Sequence, residues 1–283
     1  MKIILIGAGG MLGYVTYQYL SSQGHQVAGV TRTRKLPGMT CLDVTDQRGT
    51  EAFLKKTPCD AIVNCAALLV KASEENKSAA VKLNAWFPHW LAEYCARHGI
   101  YLIQVSTDGV FSGETGGYDE DAPSDADSFY GKSKFLGEVS DGALTVRSGF
   151  WGPDVNPNGL GLFNWFMRQT GPVLGYSKAI FNGVSSLEFA QFVNQAIKKR
   201  WTGIFHLCAA EPISKYDFLL LQKEIFDRQV SIYPNDSVCV NRRLNNSRAD
   251  ILYKEKTFAQ MMEELWPWLQ GRDDFSHYFG GRE

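Results

Sequence analysis

The sequence predicts an α/β protein: a doubly wound parallel sheet covered by helices on both faces, followed by a smaller C-terminal substrate-binding domain. Three observations predict it. Short apolar runs alternate with amphipathic stretches over residues 1–148, a glycine-spaced turn joins the first run to the first amphipathic stretch, and the rhythm breaks at Gly149. Strands separated by helical stretches call for parallel pairing with helices above and below the sheet.

The elements follow in order. Apolar runs at 2–6, 26–30, 61–65, 101–106 and 144–147 read as buried strands, and amphipathic periodicity at 12–23, 47–56, 78–97 and 128–139 reads as helices. Residues 203–207 read as a further strand that returns to the sheet edge. Between 149 and 183 Gly, Pro, Asn and aromatic residues dominate without a strand–helix rhythm, and helices are expected again at 186–200, 215–228 and 258–269. The expected division is therefore a cofactor domain over 1–148, with the strand near 203–208 joining it, and a substrate domain over 149–283.

Composition removes several function classes. The 29 Lys+Arg against 30 Asp+Glu leave a formal charge of −1, which excludes bulk attraction to nucleic acid or to an anionic membrane. A hydrophobic content of 45% argues against disorder. No run approaches the roughly 18 apolar residues of a membrane span. Six cysteines (41, 59, 65, 95, 208 and 239) lack paired spacing, and five histidines lack ligand spacing, so neither a disulfide framework nor a metal site is expected. The expectation is a cytoplasmic protein in a reducing compartment, with no nucleic-acid or membrane partner.

The first turn carries a cofactor signal. Gly7, Gly10 and Gly13 are spaced Gly-x-x-Gly-x-x-Gly between a strand and a helix, and Met11 and Leu12 fall within the same cofactor-binding turn. Gly7 permits a tight turn, Gly10 lets the backbone approach a pyrophosphate, and Gly13 allows close helix–strand packing, the Rossmann arrangement for a dinucleotide. The free amides of the helix N-terminus face the phosphates. After the second strand the chain reads Val30-Thr31-Arg32-Thr33-Arg34-Lys35, with no acid to grip a ribose hydroxyl. Arg32 and Arg34 can hold a 2′-phosphate bidentately, which prefers NADP(H) while leaving NAD(H) acceptable; a solvated basic turn is the plain alternative. Asp43 is placed for adenine, or is a turn aspartate.

Two further segments converge on one chemistry. The strand at 101–106 runs into Ser106-Thr107-Asp108, at the carboxyl end of the sheet where open α/β folds bind ligands. Ser106 falls on the cofactor side and Asp108 on the substrate side. Downstream, Tyr130 and Lys134 are four residues apart on one helix face. An ammonium near a phenol lowers its pKa from about 10, which suits a tyrosine that protonates a carbonyl oxygen while hydride reaches the carbon. Thr107 would hydrogen-bond the same oxygen.

With these residues in view, the chain resembles the extended short-chain dehydrogenase/reductases, and within them the dTDP-4-dehydrorhamnose reductase family. The stretches that carry the resemblance include Gly7 to Gly13, Asn64-Cys65-Ala66-Ala67, Leu83-Asn84-Ala85, the run from Val105 to Gly113, and the run from Tyr130 to Glu138. Val146-Arg147-Ser148, the run from Asn182 to Ser186, and the run from Gly203 to Tyr216 extend it. The resemblance implies Thr107, Tyr130 and Lys134 as the catalytic triad, acting with NADPH or NADH on the 4-keto group of a nucleoside-diphosphate 4-keto-6-deoxy sugar. It also implies that Asn64, Cys65 and Ala66 line the cofactor groove and that Asn84 lies near the nicotinamide half. Two positions depart from the family pattern. Gly109 stands where a tyrosine usually follows Ser-Thr-Asp, and Phe150 with Trp151 stands where a tryptophan faces the sugar.

The second half supplies candidates for the substrate. Phe150, Trp151 and Phe163 offer ring faces, and Asn156, Asn158 and Asn182 offer directional polar groups; for each aromatic residue a place in a small core is the alternative. Arg242 and Arg248 lie in the most polar run of this half and read as a diphosphate clamp or as a solvated loop. The aromatic C-terminus from Trp266 to Phe279 would pack on the second domain or on a partner subunit, as in a homodimer. Competing functions are a nucleotide-sugar epimerase or dehydratase with bound NAD, and a cofactor-sensing regulatory subunit. The arginines after the second strand argue against the first, and the intact Tyr130–Lys134 pair against the second.

Overall fold

The computed structural model describes residues 1–33 and 36–279. Strand β1 (Lys2–Ile6) is central because its side chains are apolar on both faces. Ile3 and Leu5 enter one core cluster and Ile4 and Ile6 the other, as the two-residue period of a strand requires. Helix α1 (Met11–Ser22) follows the glycine turn, then β2 (Gln26–Thr31), β3 (Met39–Cys41), α2 (Gln47–Lys56) and β4 (Ala61–Asn64). The helix expected at 78–97 is built in pieces. After α3 (Val70–Glu75) come α4 (Lys77–Ala80), a π-helical turn at Val81–Trp86 and α5 (Phe87–His98). Strand β5 (Tyr101–Val105), α6 (Phe129–Phe135) and β6 (Ala143–Arg147) complete the first half, α6 being shorter than the periodicity suggested.

Beyond Gly149 lie α7 (Leu162–Met167), β7 (Val173–Phe181), α8 (Ser186–Lys199), β8 (Gly203–His206), β9 (Ile213–Ser214), α9 (Lys215–Ile225), β10 (Ile232–Asn241) and α10 (Phe258–Gln270). The first sheet has the order β3-β2-β1-β4-β5-β6-β8, parallel throughout. Its strand order reverses between β1 and β4, which opens a crevice at the carboxyl ends of the strands. A second sheet, β10-β7-β9, pairs β7 with β10 in parallel and with β9 antiparallel.

Strands β7 and β10 were not expected from the sequence. Strand β10 carries Pro234, Asn235 and Asp236 and shifts register between Asn235 and Cys239, features tolerated at a sheet edge but invisible to propensity. Helix α8 is a second difference: it packs on α1, and His25 Nε2 lies 2.9 Å from Asn194 Oδ1. The region that returns to the first sheet thus includes this helix as well as β8. The aromatic C-terminus packs on its own chain. Phe275 meets Tyr14 edge-on at 6.0 Å, and the Tyr278 hydroxyl accepts the Asp154 N–H at 2.8 Å.

Candidate active site

The cofactor side is built by backbone. Gly7 has φ +80°, and a Cβ there would lie 2.8 Å from Ala66 N. At Gly13 a Cβ would lie 2.2 Å from Gly7 O, so this glycine lets α1 dock on the turn. At Gly10 the nearest atom to such a Cβ is 3.6 Å away, which leaves open space over the start of α1. A cavity of about 240 Å³ opens here, with Gly10, Arg32, Asp43 and Ala66 in its wall. Asp43 accepts the Thr45 N–H and hydroxyl at 2.9 and 2.8 Å. Burial pushes its carboxyl up, but these bonds and the Arg32 charge prevail and hold it below the usual range. Arg34 lies outside the described residues.

Asn64 and Asn84 act on the backbone behind the groove. Asn64 is buried, donates to Gln104 Oε1 at 2.8 Å and accepts the Ala66 N–H at 3.2 Å, so it shapes the turn that presents Cys65 and Ala66. Asn84 is also buried: it accepts the Leu68 N–H at 2.8 Å and donates to Leu68 O at 2.9 Å and Ser133 Oγ at 3.1 Å. It ties the loop after β4 to α6. The resemblance implies that Asn64 lines the groove and Asn84 lies near the nicotinamide half; in the structure neither side chain is in the wall of either cavity, and both hold backbone behind it. Cys65 lines the groove, its thiol pushed up to about 12 by burial.

A second cavity of about 610 Å³ shares Gly7, Gly10 and Cys65 with the first and has Met11, Leu12 and Gly13 in its wall. Thr107, Tyr130 and Lys134 converge on it, with Ser106, Asp108 and Phe150 beside them. Thr107 leaves β5 at the sheet's carboxyl end. Tyr130 and Lys134 share a face of α6, whose first turn is capped by Ser128 Oγ accepting the Gly131 N–H at 3.1 Å. A Cβ on Gly131 would sit 2.0 Å from Gly109 O, so this glycine lets α6 press the tyrosine against the strand end.

The electrostatics differ from the sequence expectation. Lys134 is 3% exposed and donates to Val105 O at 2.7 Å; burial lowers its pKa to about 8. The Tyr130 phenol, rather than being drawn toward neutrality by this ammonium, is raised to about 12. Burial is the main cause, the hydrogen bond with Thr107 opposes it, and the Asp108 carboxylate adds to it.

Behind the strand end runs a buried polar chain that sequence reasoning did not assemble. Ser106 Oγ donates to Glu138 Oε1 at 2.6 Å, and Glu138 receives Arg147 through two bonds of 2.9 and 2.7 Å. Arg147 Nη1 lies 3.2 Å from His206 Nε2, and the His206 backbone N–H donates to Glu120 Oε1 at 2.9 Å. Glu138 and Arg147 stand in stretches already singled out by resemblance, but Ser106 joins them only because β5 and β6 lie side by side in the sheet.

Four substrate candidates are placed elsewhere. Trp151 is 2% exposed, stacked near Phe163 and Phe258, and its indole donates to Gly183 O at 3.2 Å. Phe163 is wholly buried in the same core. Asn182 pairs with both backbone groups of Leu244, at 2.8 and 2.9 Å. Arg248 binds Asp250 and the carbonyls of Ile204 and Thr202, near the start of β8 and far from the carboxyl ends of the strands. Core packing and local hydrogen bonds claim these side chains. Phe150 does line the cavity, and Arg242 lies within charge range of Asp108 together with Lys215, which the sequence did not mark. The segment 154–161 forms the opposite wall; Asn156 and Asn158 were noted for polarity, Asp154 and Leu160 were not. Among the described residues no group of three or more His, Cys, Asp or Glu could hold a metal ion.

The geometry can be compared with known proteins. Residues 1–145 match the RmlD substrate binding domain family. The chain belongs to that family. Among its relatives, a dTDP-4-dehydrorhamnose reductase of Mycobacterium tuberculosis is 34% identical over 48% of this chain and 44% of its own length. The chain spans about half the length of the first curated relatives it matches. A methionine adenosyltransferase 2 subunit beta of Xenopus tropicalis is 30% identical over 95% of this chain and 88% of its own length. A solved structure described as a hypothetical dTDP-4-dehydrorhamnose reductase from Sulfolobus tokodaii superposes with a TM-score of 0.79 at 28% identity, covering 91% of this chain and 97% of the other. The matched residues 1–145 include the glycine turn, Thr107, Tyr130 and Lys134.

Proposed function

We propose that the chain is an NADPH-dependent reductase of the 4-keto group of a nucleoside-diphosphate 4-keto-6-deoxy sugar. The observation that carries this is the convergence of Thr107, Tyr130 and Lys134 where the glycine-lined groove meets the larger cavity. The residues present fit a dinucleotide: space over Gly10, amides at the start of α1, Arg32 for a 2′-phosphate and Asp43 for adenine. Bound there, the reduced cofactor supplies hydride. NAD(H) fits the same groove without the Arg32 contact.

The protein's share of the reaction is proton chemistry. Tyr130 is neutral at physiological pH and so holds a proton to give to the carbonyl oxygen. Thr107 and Lys134, the latter cationic below about pH 8, line the same cavity as the phenol and would steady the charge that develops as the proton leaves. Phe150 and the 154–161 segment narrow the cavity around the sugar. The test is a panel of nucleoside-diphosphate 4-keto sugars followed by NADPH absorbance. Oxidation with none of them rejects the reading.

A regulatory-subunit reading has one observation in its favour: the relative matching nearly the whole chain is named a subunit beta. Tyr130→Phe separates the two, because a partner-directed activity would survive it and turnover would not. We also read the protein as a cytoplasmic homodimer whose half over 1–148, joined by 203–208, holds the cofactor. All six cysteines are free, no helix of the described residues is long and apolar enough to cross a membrane, and Val81, Trp86, Phe135 and Leu136 expose apolar surface on adjacent helical segments. A monomeric mass in solution would reject the dimer.

A further inference from the structure

We propose that Tyr278 is a positioning residue for the sugar: its hydroxyl holds the 154–161 wall in register with the cofactor helix, and so sets affinity for the substrate from outside the cavity. The proposal rests on the reductase reading, in which the larger cavity takes the sugar. Tyr278 is in the wall of neither cavity, whereas the 154–161 segment faces Thr107, Tyr130 and Lys134 across the larger one. That segment is weakly packed. Asn156, Pro157, Asn158 and Leu160 are exposed, so burial of its own side chains does little to fix its course. Hydrogen bonds from buried groups outside it do that instead.

Two side chains make those bonds. A phenol has one hydrogen to give and can accept in return. Tyr278 accepts the Asp154 N–H at 2.8 Å, and its single hydrogen goes to Asn164 Oδ1, the nearer of its two acceptors. Asn164 is wholly buried within α7, and its Nδ2 donates to Gly159 O at 2.7 Å and to Pro157 O at 3.3 Å. One phenol and one amide thus close the chain between 154 and 164 into a loop and pin its middle. Arg168 adds a longer bond to Gly159 O at 3.3 Å. Burial raises the pKa of the Tyr278 phenol, so it remains a donor throughout the physiological range.

Tyr278 is aimed by the cofactor helix. It ends a 3₁₀ turn, Asp273–Tyr278, that lies along α1. Gln18 Nε2 donates to Asp274 Oδ2 at 3.2 Å, and Phe275 meets Tyr14 edge-on at 6.0 Å. The Tyr278 ring in turn meets Phe163 of α7 edge-on at 5.8 Å. The wall approaches the same helix at its other end, where a Cβ on Gly161 would lie 3.2 Å from Met11 Sδ. Met11, Tyr14 and Gln18 are spaced three and four residues apart, so they share one face of α1. The helix that opens on the glycine turn therefore also carries the strap that fixes the wall opposite the catalytic grouping.

Tyr278→Phe keeps the ring and deletes the hydroxyl. The expected result is a KM for the 4-keto sugar raised about fivefold, the share of roughly one neutral hydrogen bond, with kcat and KM for NADPH unchanged. Asn164→Leu, which fills the same space, should raise that KM too, and the double variant should add little to either single change because both break one network. Tyr253→Phe is the control: it deletes a phenol that donates to Glu188 Oε1 at 2.6 Å, neither residue lining the cavity, and should leave the sugar KM unmoved. A further readout needs no sugar. Amide exchange at Asp154 and Gly159 should speed up in Tyr278→Phe while exchange in β1 and β5 stays as in the wild type. A lowered kcat at unchanged KM, a KM rise shared equally by Tyr253→Phe, or wild-type exchange at Asp154 and Gly159 would overturn the proposal. A wild-type chain that reduces no 4-keto sugar, yet shows the faster exchange in Tyr278→Phe, would reject the reductase reading and leave the strap standing.

Discussion

Tyr130 keeps its proton well past physiological pH because burial and the Asp108 carboxylate both disfavour the phenolate. A buried acid of this kind can donate only when a developing oxyanion is there to receive the proton. Tyr130→Phe is therefore expected to lower kcat by about 10²–10⁴-fold while the Kd for NADPH stays within error, read by stopped-flow turnover and by calorimetry. On the proposed mechanism, Lys134 is expected to set the alkaline side. Its pKa of about 8 means that activity falls as pH rises through 8, and Lys134→Arg should remove this limb because a guanidinium stays charged. The same burial makes the ammonium a cost to the fold below about pH 8, relieved as pH climbs toward the free-lysine value of about 10.4. On the cofactor side, Arg32→Gln should shift the NADPH-to-NADH ratio of kcat/KM toward NADH by about tenfold, since one charge-assisted contact to a phosphate is lost. An unchanged ratio would assign Arg32 to solvent.

At the scale of elements, the site depends on two close approaches. Helix α1 reaches the glycine turn through Gly13, and α6 reaches the end of β5 through Gly131, where a Cβ would meet carbonyl oxygens at 2.2 and 2.0 Å. Gly131→Ala should push α6 outward and displace Tyr130 from Thr107. The expected outcome is a loss of kcat larger than any loss of thermal stability, measured on the same preparation by turnover and calorimetry. Glu138 works at this scale as well. It holds Arg147 and Ser106 together behind β5 and β6, and Glu138→Gln would leave a buried guanidinium short of its counter-charge, at a cost of about 3–5 kcal/mol in urea unfolding. Periodicity could announce α1 and α6 but not these contacts, because a glycine's neighbour across space has no signature along the chain.

At the scale of the whole molecule, one apolar cluster runs from Ile3 and Leu5 through Trp151 and Phe163 to Phe258 and Leu265. Trp151 belongs to that cluster rather than to the sugar. Trp151→Ala should cost about 3–5 kcal/mol of stability, with no selective rise in KM for the sugar in the fraction that stays folded. The parallel sheet was legible because each buried strand is a run of aliphatics bounded by helices, and the glycine spacing and the Tyr130–Lys134 interval were legible because both chemistries are local. The second sheet was not: β7 alternates in burial but sets the apolar Leu174 and Tyr176 on its exposed face, and β10 carries Pro234 and a register shift. Arg248 and Asn182 illustrate the same limit at single positions, since a polar residue reads alike whether it meets a substrate or a carbonyl. The sequence by itself determined the strand–helix alternation, the cofactor turn and the candidate proton donor, all set by neighbours within a few residues. Which aromatics face the cavity, which arginine lies near the acid, and that Asp108, Thr107 and Tyr130 line the same cavity depend on long-range strand pairing and burial, and so were settled by the folded chain alone.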